Sequence, residues 1–310
     1  MTRGKSESLI APQSSILLLL EGLLFTQNFM GCRKYLVLFF VITFAWTWGF
    51  GFAPLVLGLE GTTIGTFLFY FGGGAPSVTA LFIVLLTYSK EEKKDYFRRC
   101  FSFRYMGLKW LVFIIIFFAL ISFLGLIISI GLFGLEMPGM DFIYAIIRNP
   151  VNILPILLIS LISGPLNEEF GWRGYSLDKL FTRFGFIGAT IILGFIWGIW
   201  HLPWYFTPGQ AQYDLLQSSV IDAILYVPSI MVFNFAVSFV YVKTKRSILA
   251  GALTHMFGNL FNSQLLSPYS VEVGMTIRAV KIVSCICIAI YCILSKQFKK
   301  EFENLMLEEI

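Results

Sequence analysis

Histidine is almost missing from this chain: His201 and His255 are the whole complement in 310 residues. Charge is scarce too, at 13% of residues against 57% hydrophobic ones, with 33 phenylalanines and a mean hydropathy of +0.79. Soluble domains carry about 25% charged residues, so a water-facing surface over most of the chain is excluded. No internal repeat, low-complexity tract or soluble segment interrupts the pattern, which excludes a solenoid or a tethered domain. The five cysteines, Cys32, Cys100, Cys285, Cys287 and Cys292, include three in the last apolar run. Cys285 and Cys287 are two apart and point in different directions on a helix, so no disulfide framework is expected.

What is present is a series of apolar runs. A helix crosses a hydrocarbon core of about 30 Å in about 20 residues, and eight runs of that kind can be counted. They cover approximately Tyr35 to Leu59, Thr66 to Tyr88, Trp110 to Phe133, Val151 to Glu169, Gly185 to Tyr205, Val220 to Val242, Ile248 to Leu266 and Thr276 to Leu294. Backbone polar groups in lipid must be satisfied internally, and the alternating segments of a membrane barrel are missing. The expected fold is therefore all-α, a polytopic membrane helix bundle of about eight spans. Residues 1–34 read as a cytoplasmic or interfacial leader, because the apolar stretch at 15–30 is short and broken by Glu21 and no cleavage site follows. Residues 35–310 read as one domain.

Basic residues fix the expected orientation, since lysine and arginine gather in cytoplasmic loops. Of 23 basic residues, 20 fall on one side, in the N-terminal segment, the loops after spans two, four and six, and the C-terminal tail. Both termini are thus expected in the cytoplasm. Arg148, Arg278 and Lys281 are the three left on the opposite side. This dispersal among membrane anchors accounts for the net charge of +5 and speaks against a nucleic-acid partner.

Ionisable groups within apolar runs are the natural functional candidates. The string Asn167-Glu168-Glu169-Phe170-Gly171-Trp172-Arg173 places Glu169 and Arg173 four apart, on one helical face, with Glu168 rotated about 100° away. Arg173 can hold Glu169 as an ionised structural partner and leave Glu168 to accept a proton, a task that desolvation makes easier for a carboxylate. His201 precedes Leu202-Pro203, where a helix must end or bend, and Gly194 and Gly198 offer a small-residue face for close helix approach. His255 and Asn259 share one face of another helix, with Asn262 a turn on, and such paired donors suit an oxyanion. No serine or cysteine of comparable standing is present, so water is the expected attacking group and hydrolysis of an acyl bond the expected reaction. Glu168, His201 and His255 could instead ligate zinc, although the HExxH spacing of many zinc peptidases is absent. The rival reading is a non-enzymatic membrane protein, either an immunity or scaffold protein or a proton-coupled transporter.

The strings GPLNEEFGWRGY, GFIWGIWHLPWYF and LTHMFGN resemble the type II CAAX prenyl protease family, also called the CPBP or Abi family of intramembrane glutamic endopeptidases. Its motifs are EExxxR, FxxxH and HxxxN or HxxxD, in that order on separate helices, and the motif core spans 164–262 here. One departure occurs: Trp197 stands where the second motif has phenylalanine. The resemblance implies that Glu168 activates water with help from His201, that His255 and Asn259 hold the oxyanion, and that Glu169 and Arg173 support the site. It implies no required cofactor, and a membrane-associated, prenylated peptide or protein as substrate. Other members are linked to bacteriocin immunity or peptide maturation. The Gly72-Gly73-Gly74-Ala75-Pro76-Ser77 segment also resembles members of this family. A geometric condition follows. His201 lies about 24 Å along span five from its cytoplasmic end, so Glu168 can meet it only if span four continues past Glu169, or if span five begins below the bilayer.

Overall fold

The computed structural model describes residues 13–137, 141–261 and 271–307, and among these there is no strand. The helices are α1 (Gln13–Leu57), α2 (Thr63–Gly73), α3 (Ala75–Thr87), α4 (Lys90–Phe101), α5 (Phe103–Phe133), α6 (Asp141–Arg148), α7 (Ile153–Ile162), α8 (Pro165–Gly171), α9 (Asp178–Trp200), α10 (Ala211–Ser218), α11 (Val220–Lys243), α12 (Ile248–Asn259), α13 (Val271–Leu294) and α14 (Lys296–Leu307). Side chains such as Leu86 (82% exposed) and Leu132 (77% exposed) face outward, as lipid-facing residues do. Residues 15–30 run continuously into the first span as part of α1, whereas residues 1–12 and Asn262 lie outside the described residues.

The expected all-α membrane class holds, but the count of eight spans is not reproduced. Five helical stretches are long and apolar enough to cross a bilayer, or six when α2 and α3, bent by 49°, are taken as one. Expected spans four and five lie in one continuous helical stretch, Pro150–Phe206, which counts once by length although it turns back on itself at Gly185. For span seven, α12 gives 12 residues of regular α-helix, and its expected end at Leu266 lies outside the described residues.

Three features of the chain position the site. At the bend between α2 and α3, the Ser77 hydroxyl donates to the Leu166 carbonyl at 2.7 Å. Gly171 meets the same bend, and a Cβ there would lie 2.4 Å from the Pro76 carbonyl oxygen, so only glycine allows the approach of α8 to α3. The Gly-Ala-Pro segment thus serves as the seat for the helix carrying the two glutamates.

The second feature is a reversal. After α8 the chain passes through a π-helical turn, Trp172–Leu177, then through the start of α9 to Gly185, whose φ of 61° and ψ of −177° break the helix. Phe181 packs on Phe186 with ring centroids 5.8 Å apart, and Trp172 on Trp200 at 5.8 Å. Contacts on widening arcs about one centre identify an antiparallel pair of arms. Glu168 lies 17 residues before Gly185 and His201 16 after it, so the two reach about the same height at 1.5 Å per residue. The helix carrying Glu169 does continue beyond it, which meets the condition set by the sequence.

Third, α9 packs closely on α11. A Cβ on Gly194 would lie 2.8 Å from Met231 Cα, and one on Gly198 2.8 Å from Val227 Cγ1. The small-residue face expected from the sequence therefore exists, but it receives α11 rather than the helix of the glutamates. At its other end the bundle holds α14 through Lys243, which donates to Glu301 and holds that carboxyl below its ordinary range.

Candidate active site

The carboxylate pair divides as the helical spacing requires. Arg173 Nη1 donates to Glu169 Oε1 at 2.8 Å, and both side chains are fully buried. The second guanidinium nitrogen, Nη2, donates to Asn234 Oδ1 on α11, whose amide in turn donates to the Thr190 carbonyl at 2.7 Å. Below, the Tyr241 hydroxyl lies 3.0 Å from the Arg173 carbonyl. Within this frame Glu169 Oε2 and Arg173 Nε have no hydrogen-bond partner among the described residues. A buried pair left partly unsatisfied is a costly way to stabilise a fold. Its retention is better explained by what it holds.

It holds His255. The imidazole Nδ1 lies 2.8 Å from Glu169 Oε1. Because that oxygen also accepts from Arg173, the Nδ1 position carries the proton and Nε2 is turned the other way. Nε2 lies 3.9 Å from the point where a Cβ on Gly164 would stand, and Glu168 Oε1 lies 3.2 Å from the same point. Glycine at 164 keeps open the space that these two groups border.

Glu168 itself is held by indoles. Trp197 Nε1 donates to its Oε2 at 2.6 Å and Trp172 Nε1 to the same oxygen at 3.4 Å. His201 sits one turn beyond Trp197, with Nδ1 2.8 Å from the Trp197 carbonyl. A carbonyl only accepts, so Nδ1 is protonated and Nε2 offers a lone pair in the neutral ring. Trp197 further stacks edge-on to His255, with ring centroids 5.0 Å apart, and receives the Arg173 guanidinium over its face at 4.6 Å.

Thus the residue that departs from the family motif sits at the centre of the site. A phenylalanine could fill its volume but could not donate to Glu168. Replacing Trp197 by phenylalanine is expected to lower kcat about tenfold, the order for one hydrogen bond to a charged group, because the His201 bond uses the backbone and survives. Steady-state kinetics on the purified variant checks this, and an unchanged kcat would remove the role.

Glu168, Trp197, His201, His255 and Asn259 all border one cavity of about 330 Å³. The structure therefore brings all four sequence-expected reacting residues to one space, with Glu169 and Arg173 behind them. For zinc, the candidates Glu168, His201 and His255 border that space, but no group of three His, Cys, Asp or Glu side chains that could hold a metal forms among the described residues. Asn234, missed in the sequence, is 61 residues from its partner Arg173, and no local spacing marks such a pair.

A sequence model of the Rce1-like type II CAAX prenyl endopeptidases matches residues 150–261, which hold every residue of the site. The CAAX prenyl protease 2 of Methanococcus maripaludis is 26% identical over 232 residues, covering 74% of this chain and 84% of the relative. Joined to the three motifs and the apolar helices that carry them, these matches identify a membrane protease whose site-bearing segment is similar to the type II CAAX prenyl endopeptidases.

Proposed function

We propose that this protease hydrolyses the peptide bond that follows a prenylated cysteine near the C-terminus of a membrane-associated substrate, using water activated by Glu168. The observation that carries the reading is the convergence of Glu168, His201, His255 and Asn259 on one cavity. Glu168 accepts a proton from water as the water oxygen attacks the carbonyl carbon, and His201 Nε2 accepts the second water hydrogen as a hydrogen bond. The carbonyl oxygen becomes an oxyanion, to which Asn259 and His255 donate. When the tetrahedral intermediate collapses, the C–N bond breaks and Glu168 returns its proton to the leaving amine.

The donor role sets a requirement on His255. With Nδ1–H already given to Glu169, Nε2 donates only when the ring is protonated on both nitrogens, and the Glu169 carboxylate is the counter-ion that form needs. The same division of labour occurs wherever a buried carboxylate orients an imidazole toward a reacting centre. By the distribution of basic residues, we place both termini in the cytoplasm.

The test is cleavage of a farnesylated peptide ending in a CAAX sequence by the purified protein, beside its unprenylated twin, with and without a chelator. Mass spectrometry is expected to show release of the last three residues from the prenylated peptide, undiminished by the chelator. Failure to release them overturns the reading, and loss of activity in chelator overturns the metal-free mechanism alone.

A further inference from the structure

Two of the three basic residues that fall on the wrong side of the membrane by the charge rule, Arg278 and Lys281, lie not in a loop but along α13, where both border the same cavity as Glu168. They are three apart and share one helical face. Half-buried cations in an apolar bundle are costly unless they have a partner. Among the described residues neither forms an ion pair with a carboxylate, and Lys281 rests its ammonium over the Phe233 ring, 4.8 Å from the centroid. Among the described residues the sole acid on the cavity wall is Glu168, whose Oε2 is already taken by indoles.

From this geometry we infer that Arg278 and Lys281 form a pocket for the terminal carboxylate of the substrate and so fix the distance from the chain end at which the bond is cut. The inference rests on the proposed function, because only a bond near a C-terminus brings a free carboxylate into this cavity. Reach agrees. The Phe233 centroid is 6.2 Å from that of His255, so the Lys281 ammonium stands no more than about 11 Å from the His255 ring. Three extended residues span about 10 Å. A carboxylate held at Lys281 and Arg278 therefore lies within the reach of three residues from the His255 ring. Both cations offer donors suited to a carboxylate, Arg278 as a planar fork and Lys281 as a point charge.

The experiment compares two prenylated peptides identical except that one ends in a free carboxylate and the other in a carboxamide. Wild-type protein is expected to favour the acid by at least about tenfold in kcat/KM, the order set by a charged hydrogen bond. In an Arg278→Gln, Lys281→Gln double variant that ratio is expected to fall toward one, and in Lys281→Arg to persist. Equal use of acid and amide by the wild type overturns the pocket while leaving the proposed function standing. A double variant that loses activity on both peptides with the ratio preserved also overturns it, since a purely structural or electrostatic role acts on both alike. Cleavage of neither peptide by the wild type removes the substrate assignment itself, and the pocket with it.

Discussion

Glu168→Gln is expected to lower kcat for the prenylated peptide by about 10³-fold while leaving the protein folded. General-base catalysis contributes about 10²- to 10⁴-fold, and in the proposed mechanism His201 accepts only a hydrogen bond from the water, not its proton. The amide keeps the shape of the side chain, and its carbonyl oxygen still accepts from Trp197 and Trp172, so the indole frame around residue 168 is preserved. Only the capacity to accept a proton is lost. Circular dichroism and melting temperature establish folding, and stopped-time assays with product mass spectrometry establish turnover. A Glu168→Gln variant with wild-type kcat would remove glutamate-activated water as the mechanism. Because the substitution isolates one proton, it separates the enzymatic reading from a purely structural one more sharply than truncation to alanine does.

Arg173→Met is expected to cost about 3–5 kcal/mol of stability. The substituted side chain has similar length and no charge, and it leaves Glu169 fully buried without its counter-cation. Asn234 Oδ1 loses its donor at the same time. The cost comes from the abandoned carboxylate more than from the vanished bond. A double substitution, Glu169→Gln with Arg173→Met, is therefore expected to recover part of the loss. Denaturant titration in detergent, followed by tryptophan fluorescence, measures both. If Arg173→Met melts like the wild type, the pair has no structural role. The site is also expected to suffer, because His255 Nδ1 leans on the same Glu169 oxygen that Arg173 holds.

Much of this site was legible in the sequence because its chemistry is local. Glu169 and Arg173 at four-residue spacing, and His255 with Asn259 at the same spacing, declare shared helical faces without knowledge of the fold. Scarcity of histidine did the rest. Legibility failed where partners are remote. The roles of Asn234 and of Trp197 depend on which helices become neighbours, and nothing in a hydrophobic window reports that. It was silent again at Arg278 and Lys281, where the loop-charge rule gives a side of the membrane and says nothing of the cavity that both border. The count of about eight spans is not confirmed for a related reason. Hydropathy measures apolar length, whereas α2 and α3 are bent at a glycine-rich seat and α12 ends its regular helix after 12 residues.

The reversal at Gly185 sets the phase of the candidate site as well as its place. Glu168, the proposed base, and His201 ride on two arms of 17 and 16 residues that share one fulcrum. One residue inserted in either arm would slide its passenger by about 1.5 Å and swing it by about 100°. The swing does more harm than the slide, since it turns a side chain out of the cavity altogether. Length can therefore drift at the fulcrum but not along the arms, and the interval between Glu168 and His201 behaves as a counted distance, a gauge written in residues.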